Sequence, residues 1–269
     1  MTAILSEPIR QFKTDRVRTA FQLDDGPGQY RIGLLALSND LATERDFINM
    51  RPCDDIALFV SRIPNDDVCS VENLRAMEPE LTNATAQLIP GSRLDAIAYS
   101  CTSGTVVMGY DTVTRRVHDV RPGIPVATPI TASLAALERF GAGKISVLTP
   151  YSDDVNSTIY DYITAAGVEV VAFTSFHYPD NDSMARIPPQ AIYDAAIEAD
   201  RAAADALFIS CTAIRAVEVL DRIERKIYKP VVSANQALFW QALRASGYTN
   251  PVNGFGELLR MPVSEINFE

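Results

Sequence analysis

Short apolar runs alternate along the chain with segments whose apolar residues recur at helical spacing. The first such run extends from Arg31 to Leu37, and a polar turn and a helical segment follow it. Runs of this length and composition predict strands that are buried on both faces. Their alternation with helices predicts parallel sheets joined by right-handed crossovers, which places the chain in the α/β class.

An eight-residue pattern at the end of one such run occurs twice. Residues 95–102 read DAIAYSCT and residues 205–212 read DALFISCT, so five of the eight positions are identical. In each copy an apolar run leads into Ser-Cys-Thr. Because open α/β sheets bind ligands at the C-terminal ends of their strands, the pattern predicts Cys101 and Cys211 at two such ends.

The repeat extends to other elements, since Cys211 follows Cys101 by 110 residues and neighbouring segments keep a similar spacing. The run from Lys144 to Thr149 matches the run from Arg31 to Ala36. We predict two pseudo-symmetric lobes, each a parallel sheet flanked by helices, with the active site in the cleft between them. The predicted divisions are an N-terminal arm at 1–30, a first α/β lobe at 31–130 plus 236–269, and a second α/β lobe at 131–235.

Local signals predict where several helices begin and end. Asn39 or Asp40 is expected to cap the helix after the first strand, and Ser70 to begin a helix that Pro79 bends or breaks. Residues 213–228 are predicted to form a helix directly after the second cysteine. Both cysteines are therefore expected at helix N-termini.

Composition and charge restrict the class of protein. The 269 residues are 47% hydrophobic, and 34 acidic against 24 basic residues give a net charge of −10. Nucleic acid is disfavoured as a partner, because nucleic-acid binders carry a basic surplus. Residues 1–20 lack the apolar core of a secretory signal, and no apolar run reaches the ~18 residues of a membrane span. We expect a soluble, cytoplasmic protein with free thiols, and the fold class suggests a homo-oligomer.

The paired cysteines are the candidate catalytic groups. A single cysteine at a strand end usually fills space in the core. Both copies, however, keep Ser before and Thr after the cysteine, a polar frame that packing does not require. A helix N-terminus also lowers the pKa of a thiol. With two thiols on opposite faces of one substrate, one acts as nucleophile or base and the other as acid.

That chemistry suits racemisation at an acidic carbon or addition to an activated double bond, and neither reaction needs a cofactor. Substrates of this kind carry carboxylates, so groups that bind anions are expected nearby. The N–H groups and hydroxyls around Thr102, Ser103 and Thr212 are the candidates.

Other reactive side chains are interpreted as structural. Cys53 and Cys69 have no partner that the sequence identifies. The two histidines, His118 and His177, do not lie at metal-ligand spacing from cysteines or carboxylates, so no metal site is predicted. No glycine-rich phosphate loop is present either.

Taken together, these motifs resemble the aspartate/glutamate racemase superfamily. The resemblance is carried by the paired Ser-Cys-Thr segments, by Leu-Ser-Asn at 37–39, by Leu-Thr-Pro-Tyr at 148–151 and by Pro-Val-Val-Ser-Ala-Asn-Gln at 230–236. Within the superfamily the chain is most similar to the branch of maleate cis–trans isomerase and arylmalonate decarboxylase. The segments that look most like the ectoine-utilisation members of that branch are 44–47, 70–77 and 235–240.

The resemblance implies a cofactor-independent isomerase acting on a small carboxylate or amino-acid-derived substrate, with a role in ectoine catabolism. Cys101 matches the cysteine that adds to the alkene carbon, and Cys211 matches the acid or base on the other face. The further positions that it implies for substrate binding are Asn39, Thr102, Ser103, Tyr151 and Asn181.

Two alternatives stay open. One is an arylmalonate-type decarboxylase that uses Cys211 alone, although the decarboxylases carry glycine in place of Cys101. The other is a non-catalytic protein that binds a small carboxylate, because a fold does not decide function. Asp40 follows Asn39 where the maleate isomerases have threonine, and its charge disfavours a dicarboxylate substrate.

Overall fold

The computed structural model describes residues 13–261. Of the predicted N-terminal arm, residues 1–12 lie outside the described residues, as do residues 262–269 of the predicted first lobe. Residues 13–29 contain no helix or strand and are mostly exposed. Regular structure begins with the first strand at Tyr30.

Eight strands within the described residues form two parallel, four-stranded sheets. The sheets have the matching orders β2-β1-β3-β4 and β6-β5-β7-β8. This arrangement confirms the predicted α/β class with two parallel sheets. The strands are β1 (Tyr30–Leu37), β2 (Ile56–Ile63), β3 (Ala96–Tyr99), β4 (Val126–Ala127), β5 (Lys144–Thr149), β6 (Glu169–Ser175), β7 (Ala206–Ile209) and β8 (Val231–Ser233).

Helices connect the strands and flank both sheets. They are α1 (Thr43–Met50), α2 (Val71–Ala76), α3 (Glu78–Ala86), α4 (Thr102–Met108), α5 (Tyr110–His118), α6 (Pro129–Arg139), α7 (Asp153–Ala165), α8 (Asn181–Arg186), α9 (Pro189–Ala199), α10 (Leu220–Ile227), α11 (Ala234–Ala245) and α12 (Glu257–Arg260). In the described part of the chain, no helix is long and apolar enough to cross a membrane.

The duplication is visible in the hydrogen bonds at the start of each repeated strand. Asp95 accepts a hydrogen bond from the backbone N of Arg31 at 2.8 Å, and Asp205 accepts one from the backbone N of Lys144 at 2.8 Å. The backbone N of each aspartate donates to the carbonyl of the same partner. Each aspartate thus fixes the register of a repeated strand against its neighbour, which explains why both copies begin with this residue.

The long helix α11 follows the last strand of the second sheet but packs mainly against the first half of the molecule. It contacts α6, β3, β4 and α1, and nearly all of its residues are buried. Helix α6 lies mostly within the predicted second lobe, so this packing does not decide to which lobe the residues beyond 235 belong. The boundaries themselves stay a prediction.

The predicted helix start at Ser70 is confirmed. The side chain of Ser70 accepts a hydrogen bond from the backbone N of Asn73 and caps α2. That helix ends before Met77, and Pro79 lies in the first turn of α3. Proline fits there because the first N–H groups of a helix have no partner within the helix.

The prediction of a helix over 213–228 is wrong in its first part. Cys211 has a positive φ of 93°, a backbone conformation that few residues other than glycine adopt. Residues 212–215 are irregular, and a 3₁₀ turn (Ala216–Val219) precedes α10. Because the chain turns sharply at Cys211, this thiol does not lie at an α-helix N-terminus, and the expected helix effect applies to Cys101 alone.

Candidate active site

The two Ser-Cys-Thr segments meet between the sheets. The hydroxyl of Thr212 donates to the backbone carbonyl of Ser100 at 3.3 Å. The hydroxyl of Ser100 in turn lies 2.7 Å from that of Thr43 in α1, and all three residues are buried. Strands β3 and β7 therefore bring together two cysteines that are far apart along the chain.

Cys101 caps the N-terminus of α4. Its Sγ accepts a hydrogen bond from the backbone N of Gly104 at 3.2 Å, and the hydroxyl of Ser103 lies 3.9 Å away. Burial raises the pKa of the Cys101 thiol, while the Gly104 N–H and the hydroxyls of Ser103 and Tyr99 oppose that rise. Cys101 is thus a buried thiol with donors aimed at its sulfur.

Cys211 is a buried thiol in a strained backbone. Its Sγ accepts a hydrogen bond from the backbone N of Ala213 at 3.3 Å. Burial raises the pKa of Cys211 to about 12, against the opposing effect of the Tyr151 hydroxyl and of nearby N–H groups. Charge on Cys101 raises the pKa of Cys211 further, so the two thiols lie within electrostatic reach of each other. Cys211 therefore holds its proton at neutral pH.

Tyr151 lies directly after β5 and is buried beside the cysteines. Its backbone carbonyl accepts hydrogen bonds from the Asn156 side chain at 2.9 Å and from the Ser175 hydroxyl at 2.6 Å. Asn156 is held in turn by the hydroxyl of Thr149. Burial raises the pKa of Tyr151 well above its usual range, so its hydroxyl stays a donor.

A small cavity adjoins Cys101. Its volume is about 20 Å³, and Cys69, Cys101, Ser103 and Asn181 are among the lining residues. That space holds roughly one water molecule. This space alone is too small for a carboxylate substrate.

Cys69 is the site residue that the interpretation of the sequence missed. Its Sγ lies 3.8 Å from the Ser103 hydroxyl, which also faces Cys101. Burial raises the pKa of Cys69 well above its usual range. Its only signal in the sequence is its position directly before the helix cap Ser70. That position does not indicate which residues of other segments lie against its thiol.

The predicted substrate-binding residues Asn39 and Asn181 both contact Asp67. The Asn39 amide donates to the Asp67 carboxylate at 3.0 Å, and the backbone N of Asn181 donates to the Asp67 carbonyl at 3.0 Å. Asn39 also accepts a hydrogen bond from Asn65. Neither Asn39 nor Asp40 is the N-cap residue of α1, which is Ala42 and has no side-chain cap. The Asp40 carboxylate instead accepts from the backbone N of Ala42 at 2.8 Å and of Thr43 at 2.9 Å in the turn before the helix.

The three predicted hydroxyl groups differ in their surroundings. Thr102 Oγ1 is buried and has no hydrogen-bond partner among the described residues. The Ser103 hydroxyl lies between the thiols of Cys69 and Cys101. Thr212 donates to the other Ser-Cys-Thr segment. The Thr102 and Ser103 hydroxyls thus remain available for an anion, whereas that of Thr212 joins the two halves.

A buried polar cluster lies behind the cysteines. The Asn235 amide donates to the Asp46 carboxylate at 2.8 Å and to the Thr212 carbonyl at 2.9 Å. The Thr43 hydroxyl lies between Thr212 and Ser100. Helices α1 and α11 therefore fix the chain immediately after the strained Cys211.

The sequence predicted no metal site. Across residues 13–261, no group of three or more His, Cys, Asp or Glu side chains is arranged to hold a metal ion.

The two matching four-stranded parallel sheets are the fold of solved maleate isomerase structures. The family model described as arylmalonate decarboxylase matches residues 80–259, and the chain belongs to this family.

Relatives come from both arms of the branch. The maleate isomerase of Geobacillus stearothermophilus is 25% identical over 245 residues, which cover 86% of this chain and 97% of that protein. The arylmalonate decarboxylase of Bordetella bronchiseptica is 30% identical over 139 residues, or 51% of this chain and 58% of that protein.

Solved structures share the fold. A maleate isomerase from Pseudomonas putida, solved with maleate, has a TM-score of 0.79 and 22% identity, and the match covers 86% of this chain and 97% of that one. A mutant maleate cis–trans isomerase from Nocardia farcinica contains a covalently bound succinylcysteine intermediate. It has a TM-score of 0.78 and 22% identity, over 86% of this chain and 98% of that one.

Proposed function

We propose that this protein is a cofactor-independent cis–trans isomerase that acts on a small unsaturated carboxylate through covalent addition of Cys101. The observation that carries the proposal is the meeting of two buried thiols, each with its own donors, at the ends of equivalent strands. The succinylcysteine intermediate in the Nocardia farcinica relative supports a covalent route.

The reaction begins when the Cys101 thiolate forms a C–S bond to one alkene carbon. The electron pair of the double bond moves to the neighbouring carbon and its carboxylate. The former double bond is then a single bond and rotates. When the electron pair returns, the C–S bond breaks, the trans alkene forms and the thiolate is restored. No atom is gained or lost, so neither an oxidant nor a reductant is required.

The two thiols take different roles because they differ in surroundings. Cys211 has a pKa of about 12 and stays protonated, so it serves as the acid that meets negative charge developing on the far face of the substrate. Cys101 caps α4, where free N–H groups favour a thiolate. Cys101 is therefore the nucleophile.

The substrate carboxylate is bound by neutral donors in this proposal. The described residues that line the cavity next to Cys101 include no lysine or arginine. The Ser103 hydroxyl and the Asn181 side chain, whose amide also donates to the Asp67 carbonyl at 3.2 Å, line this cavity and are candidates. The unpartnered hydroxyl of Thr102 is a further candidate. Because the charge of Asp40 opposes negative charge at Cys101, we favour a substrate with a single carboxylate close to this wall.

The test is turnover by cysteine variants on a panel of maleate, substituted alkene carboxylates, arylmalonates and products of ectoine breakdown. Cys101→Ala and Cys211→Ala should each lower kcat by at least about a thousandfold, because each removes a group that acts on the reacting carbons. Cys53→Ala, at an exposed cysteine, is the matched control and should keep full activity. Full activity in both test variants would contradict the proposal.

The same panel separates the alternatives. Release of carbon dioxide that is lost in Cys211→Ala but kept in Cys101→Ala would indicate a decarboxylase. Saturable binding without turnover would indicate a binding protein. The role in ectoine catabolism, the cytoplasmic location and the homo-oligomeric state also stay predictions.

A further inference from the structure

Tyr99 ends strand β3, two residues before Cys101, and its side chain is fully buried. Its hydroxyl has no well-aligned hydrogen-bond partner among the described residues. A buried polar group without a partner is costly, and such groups concentrate where function requires them. No sequence pattern distinguishes this tyrosine, because it lies inside an apolar run.

The hydroxyl of Tyr99 and the sulfur of Cys101 lie beside the same residue, Gly104. A Cβ atom built on Gly104 would lie 2.6 Å from Tyr99 Oη and 2.8 Å from Cys101 Sγ, so both atoms occupy the space beside that glycine. Gly104 lies within α4, where glycine is less favourable than alanine. The room that the two atoms need explains why glycine stands there.

We propose that Tyr99 is a positioning residue that donates its hydroxyl hydrogen to the Cys101 thiolate and so holds that sulfur ready as the nucleophile. The inference deepens the proposed function and rests on it for the role of Cys101 in turnover. The hydrogen bond itself is testable without any substrate.

Few other groups near Cys101 can stabilise a thiolate at this position. Negative charge on Asp40, Cys69, Cys211 or Tyr151 is unfavourable for a thiolate at this position. Among the described residues, the strongest influences on the pKa of Cys101 include no cation. A thiolate at Cys101 therefore depends on neutral donors.

Three such donors are present: the Gly104 N–H, the Ser103 hydroxyl and the Tyr99 hydroxyl. Burial raises the pKa of Tyr99 well above its usual range, so the phenol keeps the proton that it donates. The Tyr151 hydroxyl likewise opposes the rise in the pKa of Cys211. Each thiol thus has one phenol and at least one backbone N–H.

The experiment is the pH profile of alkylation by iodoacetamide, read for each cysteine by peptide mass spectrometry. All proteins carry Cys53→Ser, which removes the exposed thiol. Tyr99→Phe deletes only the hydroxyl. The control is Tyr110→Phe, which deletes a hydroxyl that donates to the Val126 carbonyl at 3.0 Å.

In Tyr99→Phe the midpoint of the Cys101 profile should move up by about one pH unit, equivalent to about tenfold slower labelling below the midpoint. The Cys211 profile in the same samples should not move up, because a Cys101 that ionises later repels the Cys211 thiolate less. Tyr110→Phe should leave both profiles unchanged. An unchanged Cys101 midpoint in Tyr99→Phe, or an equal shift for both cysteines, would overturn the proposal.

Gly104→Ala is a second, independent variant. The added methyl group presses on both atoms and should also raise the Cys101 midpoint. If Tyr99→Phe does not fold, as judged by urea unfolding, an unchanged midpoint in Gly104→Ala overturns the proposal. Because neither readout uses turnover, a failure here is distinguishable from a failure of the isomerase proposal.

Discussion

At the scale of single residues, Asp46 gives the stability of the protein an unusual dependence on pH. Its carboxyl is buried, it accepts one hydrogen bond from Asn235, and its other oxygen has no hydrogen-bond partner among the described residues. Burial raises the pKa of Asp46 from its ordinary value to about 7. Arg45 and Asn235 favour the charged form, and Asp40 and Glu218 disfavour it.

The sign of the effect follows from the raised pKa. Between about pH 4 and about pH 7 the unfolded chain releases this proton while the folded protein retains it, so the free energy of unfolding falls as pH rises. The upper limit is about 1.4 kcal/mol per pH unit, or about 4 kcal/mol over the whole window.

Asp46→Asn replaces the carboxyl with a neutral group of similar shape and should remove this fall. Urea unfolding at about pH 5 and about pH 8 should therefore show a smaller loss of stability in the variant than in the parent. Asp54→Asn is the control, because the side chain of Asp54 is 98% exposed. The same pH dependence in parent and Asp46→Asn would contradict this account of Asp46.

Residue-level prediction from sequence was strongest where a pattern repeats. The duplicated Ser-Cys-Thr identified Cys101 and Cys211 as a pair. Cys69 and Tyr99 were missed, because contacts between segments that are distant in the chain decide their surroundings. Neither residue occurs in a pattern that could signal those contacts.

At the scale of elements, two loops from opposite halves close the site. We call residues 64–70, after β2, and 176–180, after β6, the interlobe clasp. The backbone N of Cys69 donates to the Pro179 carbonyl at 2.9 Å, and Val68 forms an antiparallel bridge with Asp180. The carboxylate of Asp67 adds hydrogen bonds from Asn39 and from the backbone N of Asp182.

Asp67→Ala should loosen the interlobe clasp, because it removes the side-chain acceptor but keeps the backbone bonds. In a Cys53→Ser background, alkylation of Cys101 should become about tenfold faster, as expected for the loss of hydrogen bonds to a charged group. Asp182→Ala is the matched control, since within residues 13–261 the carboxylate of Asp182 pairs with Arg186. Equal labelling of Cys101 in both variants and the parent would show that the clasp does not limit access.

The elements that follow Cys101 and Cys211 show what local sequence signals predict and what they do not. Helix α4 follows Cys101 as expected. The chain after Cys211 first turns through a positive φ, and helix α10 begins only at Leu220. The residue types at 213–219 permit a helix, so the departure depends on tertiary bonds to the Thr212 carbonyl from Asn235 and Thr43.

At the scale of the whole molecule, duplication made the fold predictable. Apolar runs, their spacing and the matching aspartates before β3 and β7 were enough to predict two parallel sheets. How closely the halves approach was not encoded in any local signal. The cavity of about 20 Å³ and the interlobe clasp depend on how two surfaces fit together.

The central claim is covalent addition by Cys101, and peptide mass spectrometry tests it most directly. The Cys211→Ser variant, which lacks the acid, is incubated with an alkene carboxylate that the parent protein isomerises. When the sample is quenched in acid, so that the carbanion takes a proton from solvent, we expect the peptide containing Cys101 to gain the mass of one intact substrate. A substrate adduct on Cys69 instead, or no adduct on Cys101 while the parent turns over the same compound, would contradict it.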